Sequence, residues 1–245
     1  SGLIPCVHYN INRQQSRVRC FELGLRFDYQ NAKNINDLKQ IPTLAMIAVG
    51  AKTAESWHGK PQSMDFFDLK GEVEELLGAA RVQADYVRST REWLHPGQSA
   101  EILVAGKSIG YLGRLHPSLE DELDLGITWV AELDQLAVLQ TYVSNFTELS
   151  RFPSVRRDIA LLISDNINVS EIQQLIGKAG GELLDSSWLF DVYTGQGVEN
   201  GKRSLAFALL WQHPSRTLED AEIKSGMDHI IQVLESTYQA TLRAS

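Results

Sequence analysis

Residues 156–243 carry the order of elements that most restricts the fold. RRDIALLI (156–163) alternates apolar and polar residues, as a half-buried strand does. NVSEIQQLIGKAGG sets Val169, Ile172, Leu175, Ile176 and Ala179 on one helical face. SWLFDVYTG and KRSLAFALLW read as two strands around the turn-forming GQGVENG. TLEDAEIKSGMDHIIQVLEST presents Ile223, Met227, Ile230, Ile231 and Leu234 at helical spacing, and QATLR reads as a last edge strand. Asn168 with Glu171 resembles a capping box, Gly180-Gly181 suits a helix stop, and Thr217-x-x-Asp220 opens the second helix. The order is β-α-β-β-α-β.

That order predicts a ferredoxin-like domain, with two helices on one face of a four-stranded antiparallel sheet. The other face is open unless something covers it. The period of two assigns sides. Ile159, Leu161 and Ile163, then Trp188, Phe190 and Val192, then Leu205, Phe207 and Leu209 are expected to face the helices. Asp158, Ala160, Asp191, Tyr193, Ser204, Ala206 and Ala208 are then expected on the open side. One ring beside a floor of small residues can stack an unpaired base, while carboxylates and a hydroxyl read base edges. Arg156, Arg157, Lys202 and Arg203 lie at strand ends, where a phosphate backbone could pass. On the residues alone, such a face serves equally as a docking surface for another protein domain, which is the commoner use.

The first part reads as mixed α+β. Leu3, Ile4, Val7 and Ile11 suggest a helix within residues 2–15, RVRCFELGLRF a long strand, and IPTLAMIAVG a buried strand. Phe66, Leu69, Val73, Leu76 and Leu77 mark an amphipathic helix capped by Asp65 or Ser63. AEILVAGKSIGYLGRL reads as a hairpin around Ala105-Gly106-Lys107, and ITWVAELDQL as a closing strand. Strands joined by hairpins predict an antiparallel sheet flanked by helices. The boundary is expected near 142–152, before Pro153, giving domains at 1–145 and 150–245.

Several chemistries find little support. The net charge of −8 is split evenly between the two parts, which disfavours a broad polyanion-binding surface but leaves room for a local contact. Cys6 and Cys20 lack C-x-x-C spacing, suggesting neither a zinc site nor a disulfide framework, and fit a reduced, cytoplasmic setting. No run approaches the roughly 20 apolar residues of a membrane span, and SGLIPCVHYNINRQQ does not read as a signal peptide. His8, His58, His95, His116, His213 and His229 show no metal-ligand spacing. His95-Pro96-Gly97 and His116-Pro117 read as turns or helix starts, and AGKS (105–108) as a hairpin turn rather than a phosphate loop. Glu72-x-Glu74-Glu75 and Glu120-Asp121-Glu122 read as solvated helix faces.

RFPSVRRDIALLI, LFDVYTGQGVENGKRSLAFAL and SRTLEDAEI closely resemble the C-terminal anticodon-binding domain of the bacterial phenylalanyl-tRNA synthetase beta-subunit family. YNINRQQSRVRCFELGLRF, DFFDLKGEVEELL and LHPGQSAEILVAGKSIGYLGRLHPSLEDELDL resemble the family's catalytic-like module, which has a class II synthetase fold without the chemistry. The resemblance implies part of an enzyme of two alpha and two beta subunits that joins phenylalanine to tRNA(Phe) with ATP and Mg2+. The alpha subunit would hold the active site, and the C-terminal domain would grip the anticodon stem-loop. By motif position, the contacts would fall on Asp158, Ala160, Asp191, Tyr193 and Ser204, with Tyr193 the stacking ring. Only RVRCFELGLRF is similar to the arginine motif of an active class II site, in degraded form, and no late arginine motif follows. The chain is therefore expected to be a fragment, N-terminally truncated within the catalytic-like module, with no catalytic residue, metal or cofactor of its own and no membrane partner.

Overall fold

A computed structural model describes residues 2–28, 34–139 and 150–243. The chain divides into two compact units, Ser1–Ser144 and Asn145–Ser245. Most of the expected boundary segment, residues 142–149, lies outside the described residues.

In the first unit α1 (Leu3–Ile11) is followed by strands β1 (Val18–Asp28) and β2 (Lys39–Val49) and by α2 (Phe66–Ala79). Then come β3 (Asp85–Arg88), β4 (Leu94–Val104), β5 (Lys107–Leu115), α3 (Pro117–Glu122), β6 (Thr128–Asp134) and the short α4 (Gln135–Val138). The strands form one six-stranded sheet, ordered β1-β2-β6-β5-β4-β3, with every pair antiparallel. Strand β2 shows why its sequence is almost continuously apolar: it is covered on both sides. Leu44 and Ala48 pack with Leu69, Val73 and Leu77 of α2. Ile47 and Val49 pack with Leu3 and Val7 of α1. Asp65 caps α2 reciprocally, accepting from the Asp68 backbone N–H at 3.0 Å while Asp68 accepts from the Asp65 N–H at 2.9 Å. Ala105 and Gly106 both take positive φ between β4 and β5, so AGKS is a tight hairpin turn.

Two readings of this unit are corrected. His95-Pro96-Gly97 is neither a turn nor a helix start: it lies within β4, where pairing with β5 is irregular between Leu94 and Ser99. Glu120 is not on a solvated helix face: it is 4% exposed. Arg114 clamps it through Nε at 3.0 Å and Nη2 at 2.6 Å, and the Thr128 backbone N–H donates to it at 2.9 Å. A carboxylate this deep needs those donors to replace its water. Strand β3 carries no alternation long enough to be read.

The second unit runs β7 (Val155–Ser164), α5 (Val169–Gly180), β8 (Leu184–Tyr193), β9 (Lys202–Trp211), α6 (Asp220–Tyr238) and β10 (Thr241–Leu242). Its sheet is ordered β10-β7-β9-β8, again wholly antiparallel. This is the ferredoxin-like topology. Ile159, Leu161 and Ile163 of β7 and Leu205, Phe207 and Leu209 of β9 meet Ile172 and Ile176 of α5 and Ile223, Ile230 and Leu234 of α6 in one core. Trp211 completes it. A Cβ on Gly226 of α6 would sit 2.5 Å from the Trp211 ring, so only glycine lets helix and indole approach this closely.

Two helix starts differ from expectation. Asn168 occupies the N-cap position of α5, yet its side chain donates to Glu171 at 3.0 Å instead of capping the backbone. At α6 the N-cap is Glu219 rather than Thr217, and its backbone N–H donates to Glu222 at 3.0 Å.

Candidate nucleic-acid interface

Register across β7, β9 and β8 builds the uncovered face row by row. Asp158, Ala208 and Trp188 form one row; Ala160, Ala206 and Asp191 the next; Leu162, Ser204 and Tyr193 the third. Directly opposed residues share a side, and the other parity holds the helix-facing core. Asp158, Ala160, Asp191, Tyr193 and Ser204 therefore lie together on three adjacent rows of one face.

Trp188 and Phe190 do not face the helices as strict alternation predicts. Leu189 pairs with Phe207 and packs against the helix-side core, so Trp188 points to the open side. Pairing then slips between Leu189 and Asp191, leaving Phe190 as the extra residue of a β-bulge. The Arg156 guanidinium lies 5.4 Å from the Trp188 ring centre and 5.2 Å from that of Phe190, which puts both rings on the open face. They are 38% and 48% exposed. The bulge resets the phase, and so Asp191 and Tyr193 keep their expected side while the two rings before them change theirs. Val192 opposes Leu205 on the helix side, although it is half exposed near the strand end.

The polar groups differ in availability. Arg156 holds Asp158 bidentately, through Nε at 2.8 Å and Nη2 at 3.1 Å. Asp191 is exposed and carries no ion pair among the described residues. Ser204 is buried. Tyr193 is 37% exposed, and its hydroxyl donates to the Gln196 carbonyl at 3.1 Å. A Cβ on Gly195 would meet the Tyr193 ring at 2.6 Å, so this turn glycine is what allows the ring its place. Arg243, one residue past β10, donates its backbone N–H to the Ala160 carbonyl at 2.9 Å and sets its guanidinium 4.9 Å from the Tyr193 ring centre. The small Ala160 and Ala206 leave the space across which that side chain reaches.

The four strand-end cations split. Arg156 is on the open side, as is Lys202, which opposes Ser164 and pairs with Glu199 at 2.8 Å. Arg157 and Arg203 are not. Arg157 opposes the core residue Leu209 and pairs with Asp220 at the start of α6, at 3.4 Å. Arg203 opposes Ile163 and donates to the Ile167 carbonyl at 2.5 Å, beside α5. Their parity already placed them opposite to Arg156 and Lys202. Sequence reading also missed Arg243, whose position beside Ala160 depends on strand order. The assembled face offers two exposed rings under one guanidinium, a third ring under another, and a free carboxylate between them. That set can stack planar groups and accept hydrogen bonds from their edges.

A family model described as the phenylalanyl tRNA synthetase beta chain CLM domain matches residues 1–135, and one described as a ferredoxin-fold anticodon binding domain matches residues 150–243. The phenylalanine–tRNA ligase beta subunit of Acinetobacter baylyi is 80% identical over 245 residues, covering 100% of this chain and 31% of that protein. That of Psychrobacter arcticus is 46% identical, covering 100% and 31%, and that of Pseudomonas fluorescens Pf-5 is 44% identical, covering 99% and 30%. The chain thus spans about a third of the length of these curated relatives.

Proposed function

The chain belongs to the phenylalanyl-tRNA synthetase beta-chain family, and we propose from that membership that its second unit binds the anticodon stem-loop of tRNA(Phe). The observation that carries this is the grouping of Tyr193, Asp191, Ala160 and Ser204 on adjacent rows of the one sheet face that no helix of the unit covers. Tyr193 stacks an unpaired base, Asp191 accepts from its amino or imino groups, and Ala160 keeps the floor low enough for the base to enter. Asp158, already engaged by Arg156, orients that guanidinium over Trp188 and Phe190. Arg156 and Lys202 supply the backbone-facing charge. Arg157 and Arg203 hold the helices instead.

The first unit, on this reading, is a non-catalytic assembly module within a cytoplasmic ligase of two alpha and two beta subunits. A stripe of exposed apolar side chains on edge strand β1, formed by Phe21, Leu23, Leu25 and Phe27, supports a protein partner there, and the alpha subunit is the proposed one. The complete enzyme uses ATP and Mg2+. In this unit the arginines of the degraded motif are engaged within the fold. Arg19 is committed to Glu72 at 2.9 Å and Arg26 to Glu132 at 3.2 Å. Among the described residues, no three His, Cys, Asp or Glu side chains converge as a metal site. Among the described residues, no helix is long and apolar enough to cross a membrane.

The experiment is a titration of the chain with a labelled anticodon stem-loop of tRNA(Phe) and with an unrelated hairpin of equal length. Preference for the cognate loop is the expected result. A second reading rests on the exposed Trp188 and Phe190, an apolar pair on the open face that suits protein docking. Equal or absent binding of the two hairpins would favour that reading.

A further inference from the structure

Cys6 and Cys20 are far apart in motif terms but adjacent in space: their Sγ atoms stand 3.6 Å apart. Cys6 is on α1 and Cys20 on edge strand β1. Both backbones are held in place by the same core. Leu3 and Val7 of α1 and Val18 of β1 are buried together there. The two thiols therefore meet without any search by the chain, and a disulfide requires the sulfurs to close from 3.6 Å to the bonding distance of about 2.0 Å. Neither cysteine has a role in the proposed RNA contact, which lies wholly in the other unit.

We propose that Cys6 and Cys20 are a redox-modification site that closes to an intramolecular disulfide pinning α1 to β1. The oxidant is a small disulfide such as oxidised glutathione. The exposed Cys6 thiolate attacks it, forming a mixed disulfide and releasing one glutathione thiolate. The Cys20 thiolate then attacks the Cys6 sulfur, forming the protein disulfide and releasing the second. The two protons lost by the cysteines end on the two glutathione thiolates, and two electrons pass from the protein to the glutathione disulfide. The asymmetry of the pair suits this order. Cys6 is open to solvent, and the Asn10 amide points at its Sγ from 3.8 Å. Cys20 is half-buried, and burial and its neighbour Cys6 hold its thiol above the ordinary range. Exposure and nucleophile access decide which thiol reacts first.

The test incubates the whole chain over a series of oxidised-to-reduced glutathione ratios, quenches with acid, and reads free thiols and intact mass. Both thiols should disappear together in a monomer whose mass falls by two hydrogens, and dithiothreitol should restore them. The Cys6→Ser variant should lose this transition, leaving Cys20 free or carrying one glutathione. The proposal is overturned if the unmodified chain ends with two separate glutathione adducts, with a disulfide-linked dimer, or with two free thiols at ratios that oxidise a reference dithiol. Because the readout is on the first unit and needs no RNA, its outcome is independent of the stem-loop titration.

Discussion

The two sheets treat their faces in opposite ways. The six-stranded sheet has helix-packed cores on both sides, and the charges around it are spent internally: Arg114 on buried Glu120, Arg19 on Glu72, Arg91 on Glu101. The four-stranded sheet has both of its helices on one side. Its other side keeps three aromatic rings within reach of solvent, together with the Asp191 carboxylate, which has no ion pair among the described residues. Burying rings is worth more than exposing them, so a face that retains Trp188, Phe190 and Tyr193 half in water forgoes stability that its neighbouring face collects. The comparison teaches that the first unit packs helices on both sheet faces and confines its apolar exposure to the edge strand β1, whereas the second leaves a whole sheet face uncovered.

The largest effects should come from the covered side. Phe207→Ala removes a fully buried ring between sheet and helices and should cost about 3–5 kcal/mol in denaturant unfolding of the second unit. If it cost no more than an open-face change, the distinction between the faces would collapse. In the first unit, Arg114→Met strands the Glu120 carboxylate and should cost about 3 kcal/mol, since a buried charge losing its partner has no substitute donor of equal strength. Next comes a matched pair of neighbours on β7. Arg156→Gln should weaken stem-loop binding and reduce its log–log salt slope by about 0.7, the increment for one phosphate contact on a single strand. Arg157→Gln, one residue on but facing α6, should leave that slope unchanged; equal slopes for the two variants would contradict the assignment of sides.

The smallest effect is electrostatic and again on the covered side. Arg216 donates to Glu222 at 2.6 and 2.7 Å near the start of α6, and with the Glu219 N–H holds its carboxyl down to about 2 from 4.5. A depressed carboxyl stabilises the fold above its ordinary pKa and loses that contribution as pH falls through the depressed one. Glu222→Gln should therefore lower the thermal midpoint slightly at neutral pH, and the difference should vanish as pH approaches 2. A difference that persists at that pH would point to packing rather than charge.

Much of this was legible because local pattern and tertiary demand agree. The spacings in α2, α5 and α6 and the alternation in β7 and β9 follow from which face each element buries. The bulge at Phe190 could not be read from β8 by itself, because a slip in register exists only relative to β9. It moved Trp188 and Phe190 to the other side while leaving Asp191 and Tyr193 where alternation put them. Arg243 and the cysteine pair share that limitation, for their partners are set by strand order and helix docking. The burial of Glu120 leaves no trace in a three-residue acidic run, because it depends on Arg114 and Thr128 beside it. The sides of Arg157 and Arg203 follow from parity, which sets them opposite to Arg156 and Lys202.

The central claim is that Tyr193 on the open face stacks an anticodon base, and the direct measurement is stem-loop affinity of Tyr193→Ala beside its near-UV circular dichroism and unfolding midpoint. Loss of affinity by about 1–3 kcal/mol, with the aromatic core signal and the unfolding midpoint little changed, is the predicted result. An affinity equal to that of the unmodified chain would contradict it.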